Sequence, residues 1–304
     1  MLPHAARVIG VAIRAGFRLN AADPLFSNQI LDKSIPWTSD FVKEIRRGLR
    51  ACRVILCFAM YYLCFNQSMN NIISQANQMQ LSGISNDTVQ SFNAIAYIVL
   101  NPLIQNCLFP ILSRRHISLG PIARMTIAFI LMALSMAYAA GIQKLIYSRA
   151  PCFSRPLACE AAVTVDEGNE IHRRPNEVSI WAQIPLHVLL AASEIFGFVA
   201  LNEFAYTEAP TNMKALVKAF EQFTAALGAA LGMALGPVSK DPLLVAMYSA
   251  LASAIFLSGI AFYAVFRVHD RHWKSNKSAE DGEVSTELEV EHAHGSTATH
   301  NSSG

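Results

Sequence analysis

Hydrophobic positions along the chain fall into six long runs, at about 54–78, 91–112, 118–143, 179–207, 214–237 and 243–267, with polar segments between them. Each run is near the roughly 20 apolar residues that a helix needs to cross a bilayer. The pattern predicts an all-α membrane protein built as a six-transmembrane-helix bundle. Pro102, Pro110 and Pro185 interrupt or flank these runs and predict kinks. Ahead of the first run the pattern is amphipathic. Arg7, Arg14 and Arg18 share one helical face, Asp23-Pro24 breaks the pattern, and Trp37 to Arg53 resumes it. Beyond Ser275 the chain is Ser, Glu, His and Thr with few large apolar residues, which predicts disorder. A solvated tail also explains His292, His294 and His300 better than a metal site does.

Composition agrees with the spans. The chain is 53% hydrophobic and 15% charged, against about 25% charged in soluble domains. Of the 24 Lys and Arg, seventeen lie on segments that share a side with the N-terminus, six lie on the opposite side, and Arg124 falls inside the third run. Arg46, Arg47, Arg50 and Arg53 crowd the edge of the first run. This bias predicts that both termini are cytoplasmic. No basic face carries interleaved aromatics, so a nucleic-acid partner is not expected. The apolar run Val8 to Ile13 is too short for a signal peptide. Cys52, Cys57, Cys64 and Cys107 sit in or beside apolar runs and read as small hydrophobes. Cys152 and Cys159 share the long outer loop, where an oxidising compartment favours a disulfide that staples a short ring. Asn86-Asp87-Thr88, in the other outer loop, is a glycosylation sequon. No Cys/His grouping suggests a metal, and no cofactor is expected.

The candidate chemistry lies in two runs. Glu194 stands near the middle of the fourth, and an ionisable group at that depth costs several kcal/mol unless it meets a cavity or a partner. His187 and Asn202 fall roughly on its helical face. The competing reading is a structural, ion-paired carboxylate. The first run carries Asn66, Asn70, Ser74 and Asn77 on one helical line and Gln67, Asn71, Gln75 and Gln78 on the next. Eight such groups are expensive against lipid, so this side is expected to meet water, substrate or another domain, the alternative being a dry polar helix interface. In the fifth run, Gly228, Gly232 and Gly236 recur at every fourth position and predict close helix packing, while Lys218 and Glu221 are spaced to pair. No Ser-His-Asp grouping, P-loop or HExxH is present, so an enzyme is not expected.

Three segments carry a family resemblance: Tyr62-Leu-Cys-Phe-Asn66-Gln67-Ser-Met-Asn70-Asn71-Ile-Ile-Ser-Gln75-Ala76, then Ser193-Glu194-Ile-Phe, then Ala205-Tyr-Thr-Glu-Ala-Pro-Thr-Asn-Met-Lys214. They resemble the proton-coupled oligopeptide transporter family of the major facilitator superfamily, fungal type. The stretch around Trp37 to Arg47 is similar to that family's linker between its two six-helix halves. The resemblance implies the C-terminal half of such a transporter, with a cytoplasmic linker at 1–53, the six-helix bundle at 54–267 and a disordered cytoplasmic tail at 268–304. The family's ExxER motif, which belongs to the first half, is not found in this chain.

The resemblance also implies roles. Glu194 matches the Glu that binds the peptide's amino terminus, Asn93 matches a substrate-contacting Asn, and Tyr62 falls at a pocket-lining aromatic position. Asn66 stands at a position that is acidic in bacterial members, and with Asn70 is expected to bond the peptide backbone or shape its pocket. Phe198 replaces a Ser, Ala94 a Pro, and Lys218 and Glu221 stand where apolar residues are usual. The expected partners are di- and tripeptides, protons and the lipid bilayer, in the plasma membrane, with a separate N-terminal transporter half as a further partner. The alternatives are a non-transporting membrane protein that pairs with a full-length relative, or a decayed fragment.

Overall fold

Thr38 opens the first described helix, its side-chain oxygen accepting a hydrogen bond from the Phe41 amide at 3.3 Å. The computed structural model describes residues 7, 8, 10, 38–81, 83, 85–115, 119–165, 171–210 and 213–268. The amphipathic pattern between residues 11 and 37 and the chain beyond residue 268, with the tail, lie outside those residues. Helix α1 covers Ser39–Cys57 and α2 covers Ala59–Asn77, with only Phe58 between them. The two form one 39-residue stretch long and apolar enough to include a span. The amphipathic segment and the first apolar run are thus one rod. Val42, Ile45, Ala51, Val54 and Ile55 are buried along it, so the apolar stripe of the first part leads into the core of the second.

Helix α3 (Asn86–Leu103) passes into a π-helical turn at Ile104–Leu108 and then into α4 (Phe109–Arg114). Pro102 has no amide proton to donate, and the wider turn just after it keeps the chain helical. Helix α5 spans Pro121–Tyr147. The long outer loop folds a short ladder, with β1 (Val163–Val165) antiparallel to β2 (Ile171–Arg173) and Val163 opposite Arg173. Helix α6 covers Ile184–Glu208, α7 Lys214–Ala234 and α8 Leu244–Val268. Pro185 lies in the first turn of α6, where a missing amide proton costs nothing, so it starts a helix instead of kinking one.

Five stretches are long and apolar enough to cross a membrane: Ser39–Asn77, Thr88–Arg114, Pro121–Tyr147, Ile180–Glu208 and Leu244–Val268. Helix α7 is not among them, since Lys214, Lys218, Glu221 and Gln222 occupy its first half. It still takes the sixth place in the bundle, packed on α2. A Cβ at Gly228 would lie 2.5 Å from the Tyr62 Cβ and 2.9 Å from the Leu63 amide nitrogen, so only glycine permits this approach. Helices α5 and α6 pack along their lengths, and α3 packs on α6. Phe58, Phe129 and Phe262 tie α5 and α8 to the α1–α2 junction, with ring centroids 5.2 to 6.0 Å apart. Ile95, Ile98, Val99 and Leu103 of α3 and Leu257 and Ile260 of α8 face outward, as apolar helix faces do against lipid or another bundle.

Candidate functional site

Ser193 and Glu194 are successive residues of α6 and therefore point about 100° apart. Ser193 is fully buried, and its hydroxyl donates to the Ala128 carbonyl of α5 at 2.9 Å. Its oxygen then accepts from the Tyr61 hydroxyl of α2 at 2.8 Å. One turn along, a Cβ on Gly197 would lie 3.1 Å from both Ala128 and the Tyr61 ring. These contacts fix the rotation of α6 and turn Glu194 away from the core. Glu194 is half-buried, the eleventh residue of a 25-residue helix. Its carboxylate accepts one hydrogen bond, from the Asn93 side chain of α3 at 2.8 Å. Among the described residues no Lys or Arg pairs with it, so the structural ion-pair alternative finds no partner there.

Phe198 stands one turn beyond Glu194 and stacks on Tyr62 with centroids 5.5 Å apart. It also meets Tyr61 and Phe65 edge-on. Asn66 donates to the Tyr62 carbonyl at 2.8 Å and is half-buried, while Asn70 is exposed one turn further along. Glu194 and Asn93 thus form one polar cluster. Tyr62 and Asn66 form a second, and Phe198 is the aromatic wall between them. Asn70 belongs to neither cluster. His187 is buried two turns before Glu194 with its ring edge-on to Phe92 at 5.9 Å.

The polar side of α2 divides in two. Asn70, Ser74 and Asn77 are exposed, as a face toward water, substrate or a second domain requires. Gln67, Gln75 and Gln78 are buried inside the bundle, which is a dry polar interface. A Gln side chain is long enough to reach a neighbouring backbone or amide. Gln67 donates to the Gly232 carbonyl at 2.7 Å, and Gln75 to the Ala139 carbonyl at 3.1 Å and to Gln143 at 2.8 Å. Gln183 donates to Gln75 at 3.0 Å and Gln143 to Gln78 at 2.7 Å, so the amides form a chain. Gln78 then donates to Asp241 at 2.9 Å, and the Tyr147 hydroxyl donates to the same carboxylate. Burial pushes the Asp241 carboxyl above the usual carboxylate range, and these two bonds oppose that shift.

Next to this chain the structure joins Cys152 and Cys159 in a disulfide with Cα atoms 5.5 Å apart. Asn176 ties that loop to the bundle, donating to the Ile146 carbonyl at 2.8 Å and accepting from the Cys152 amide at 3.2 Å. Of the other cysteines, Cys64 is buried, whereas Cys57 and Cys107 are exposed on outward helix faces and not in the core. Lys218 and Glu221 pair at 2.8 Å, and Lys218 also donates to Asn202. A second pair, Arg124 with Glu203 at 2.7 Å, joins α5 to α6, and no local sequence pattern signals it because the partners are far apart in the chain.

Comparison with known proteins places this geometry. The POT family model matches residues 20–251. The chain is 45% identical over 270 residues to the peptide transporter imqD of Aspergillus flavus, covering 89% of this chain and 65% of that protein. It is 34% identical over 264 residues to the peptide transporter PTR2 of Saccharomyces cerevisiae, covering 87% of this chain and 41% of that one. The fold matches the POT family transporter PepTSo with a TM-score of 0.62 at 19% identity, over 89% of this chain and 52% of that one. The chain therefore spans between about two fifths and two thirds of these relatives. Its fold, its multi-pass apolar helices and its sequence agree: the chain belongs to the POT family.

Proposed function

We propose that this chain acts as the C-terminal half of a proton-coupled di- and tripeptide symporter. The substrate would sit between two six-helix bundles that rock about it. The observation that carries the reading is Glu194, a carboxylate at mid-helix with a single neutral partner and no cation among the described residues. Such a group has strong reason to take a cation, and the peptide ammonium supplies one together with hydrogen-bond donors. Asn93 orients the carboxylate, Tyr62 and Phe198 wall the pocket, and Asn66 and Asn70 bond the peptide backbone. Asn66 cannot titrate, so proton exchange falls to a carboxylate elsewhere. The exposed Asn70, Ser74 and Asn77 are polar groups that need a second bundle or water beside them. Both termini face the cytoplasm of a plasma-membrane protein in this arrangement, and the Cys152–Cys159 loop lies outside.

The test is dipeptide uptake by cells lacking other peptide transporters, with this chain co-expressed with the N-terminal half of a fungal peptide transporter. Glu194→Gln keeps the shape and loses a charge-assisted hydrogen bond of about 1.5–3 kcal/mol. Half-saturation is expected to rise roughly ten- to a hundred-fold. Unchanged uptake by the Gln variant would falsify the role given to Glu194.

A further inference from the structure

A cavity of about 690 Å³ opens between the C-terminal end of α6 and the N-terminal end of α7, lined by Val199, Asn202, Glu203, Tyr206, Lys214 and Lys218 among others. Its charges are not equivalent. Glu203 is held by Arg124 at 2.7 Å. Lys218 is spent on Glu221, at 2.8 and 3.0 Å, and on Asn202. Lys214 is different. Its ammonium lies 3.5 Å from the centroid of the Tyr206 ring, and among the described residues no carboxylate pairs with it. Once the two ion pairs cancel, Lys214 is left, among the described residues, as one uncompensated positive charge, positioned by an aromatic face beneath it.

Its place along α6 suggests what it would hold. Asn202, on the cavity wall, is eight residues beyond Glu194, which is about 12 Å along the axis and about 80° around it. An extended peptide advances about 3.3–3.6 Å per residue. A ligand with its ammonium at Glu194 therefore brings a carboxylate on its third or fourth residue to this cavity. We propose that the cavity is a second ligand subsite, in which Lys214 reads the side-chain carboxylate of the third residue of a bound peptide. The apolar wall formed by Val199 and Ala205 takes the methylene groups of that residue. This inference rests on the peptide reading of Glu194.

The experiment is competition against labelled dipeptide uptake, in the same two-half transporter, by Ala-Ala-Glu, Ala-Ala-Gln and Ala-Ala-Lys. The unaltered protein is expected to prefer Ala-Ala-Glu over its Gln isostere by about tenfold, the worth of one charge-assisted contact on a partly exposed lysine. Lys214→Gln should remove the preference, and Lys214→Glu should turn it toward Ala-Ala-Lys. Misfolding cannot produce a reversed preference. Equal inhibition by the Glu and Gln peptides in the unaltered protein overturns the subsite and leaves the peptide reading standing. A preference that survives Lys214→Glu does the same. No dipeptide uptake at all overturns the peptide reading and the subsite with it.

Discussion

At the scale of single residues, the buried charges divide into those with a counter-charge and those without. Arg124 is close to nine-tenths buried and is held by Glu203 at 2.7 Å, with the Phe109 ring 5.7 Å away. Removing Glu203 alone leaves a guanidinium with no anion, so Glu203→Ala should cost about 3 kcal/mol. Arg124→Met combined with Glu203→Leu should recover most of that loss. Thermal melting of the purified protein in detergent checks both. Equal melting of the single and double variants would show that the pair does not act as a unit. Asp241 behaves differently, because burial raises its pKa. A carboxyl raised in the folded state binds more protons there than when unfolded. Its contribution is full at acid pH and is lost as pH climbs through and above the ordinary carboxylate range. Asp241→Asn should therefore flatten the pH dependence of hydrogen exchange in the loop at 235–243, while the unaltered protein protects that loop better at acid pH. The opposite slope would count against this account of Asp241.

Among the helices, what was legible in the sequence depended on how local the signal was. The apolar runs carry their own period and length, so the helices could be read directly. Glu194 could be read too, since one carboxylate amid apolar neighbours is conspicuous. The division of α2 was not legible. Asn66 and Gln67 are successive residues about 100° apart around the helix, and which of their two lines faces the core depends on whether a neighbour offers a carbonyl. Gly232 and Ala139 do so for the Gln line. Arg124 and Glu203 share no local pattern, and only the packing of α5 on α6 joins them. The glycines of α7 were legible as a packing signal, and the contact at Gly228 gives that signal a magnitude. Gly228→Val must push α7 away from Tyr62 and Leu63. Overpacking of this kind costs about 1–3 kcal/mol, and should break the bond from Gln67 to the Gly232 carbonyl. Reduced melting temperature with unchanged expression is the expected result. Wild-type stability would mean that the two helices do not approach as described.

On the scale of the whole molecule, the bundle has a finished side and an open one. Its interior is closed by α5, α6 and α8, whereas the face that carries Asn70, Ser74 and Asn77 is exposed, and Glu194 is half-buried under its bond from Asn93 of α3. Lipid is a poor solvent for that face. Another six-helix bundle across a wet cavity is a good one, and the relatives are longer than this chain. The most direct measurement is uptake of a radiolabelled dipeptide at acid and neutral outside pH. This chain would be expressed alone and with a separate N-terminal half, in cells lacking other peptide transporters. Acid-stimulated uptake on co-expression, and none with this chain alone, is the predicted result. Robust acid-stimulated uptake by this chain alone would contradict the half-transporter account.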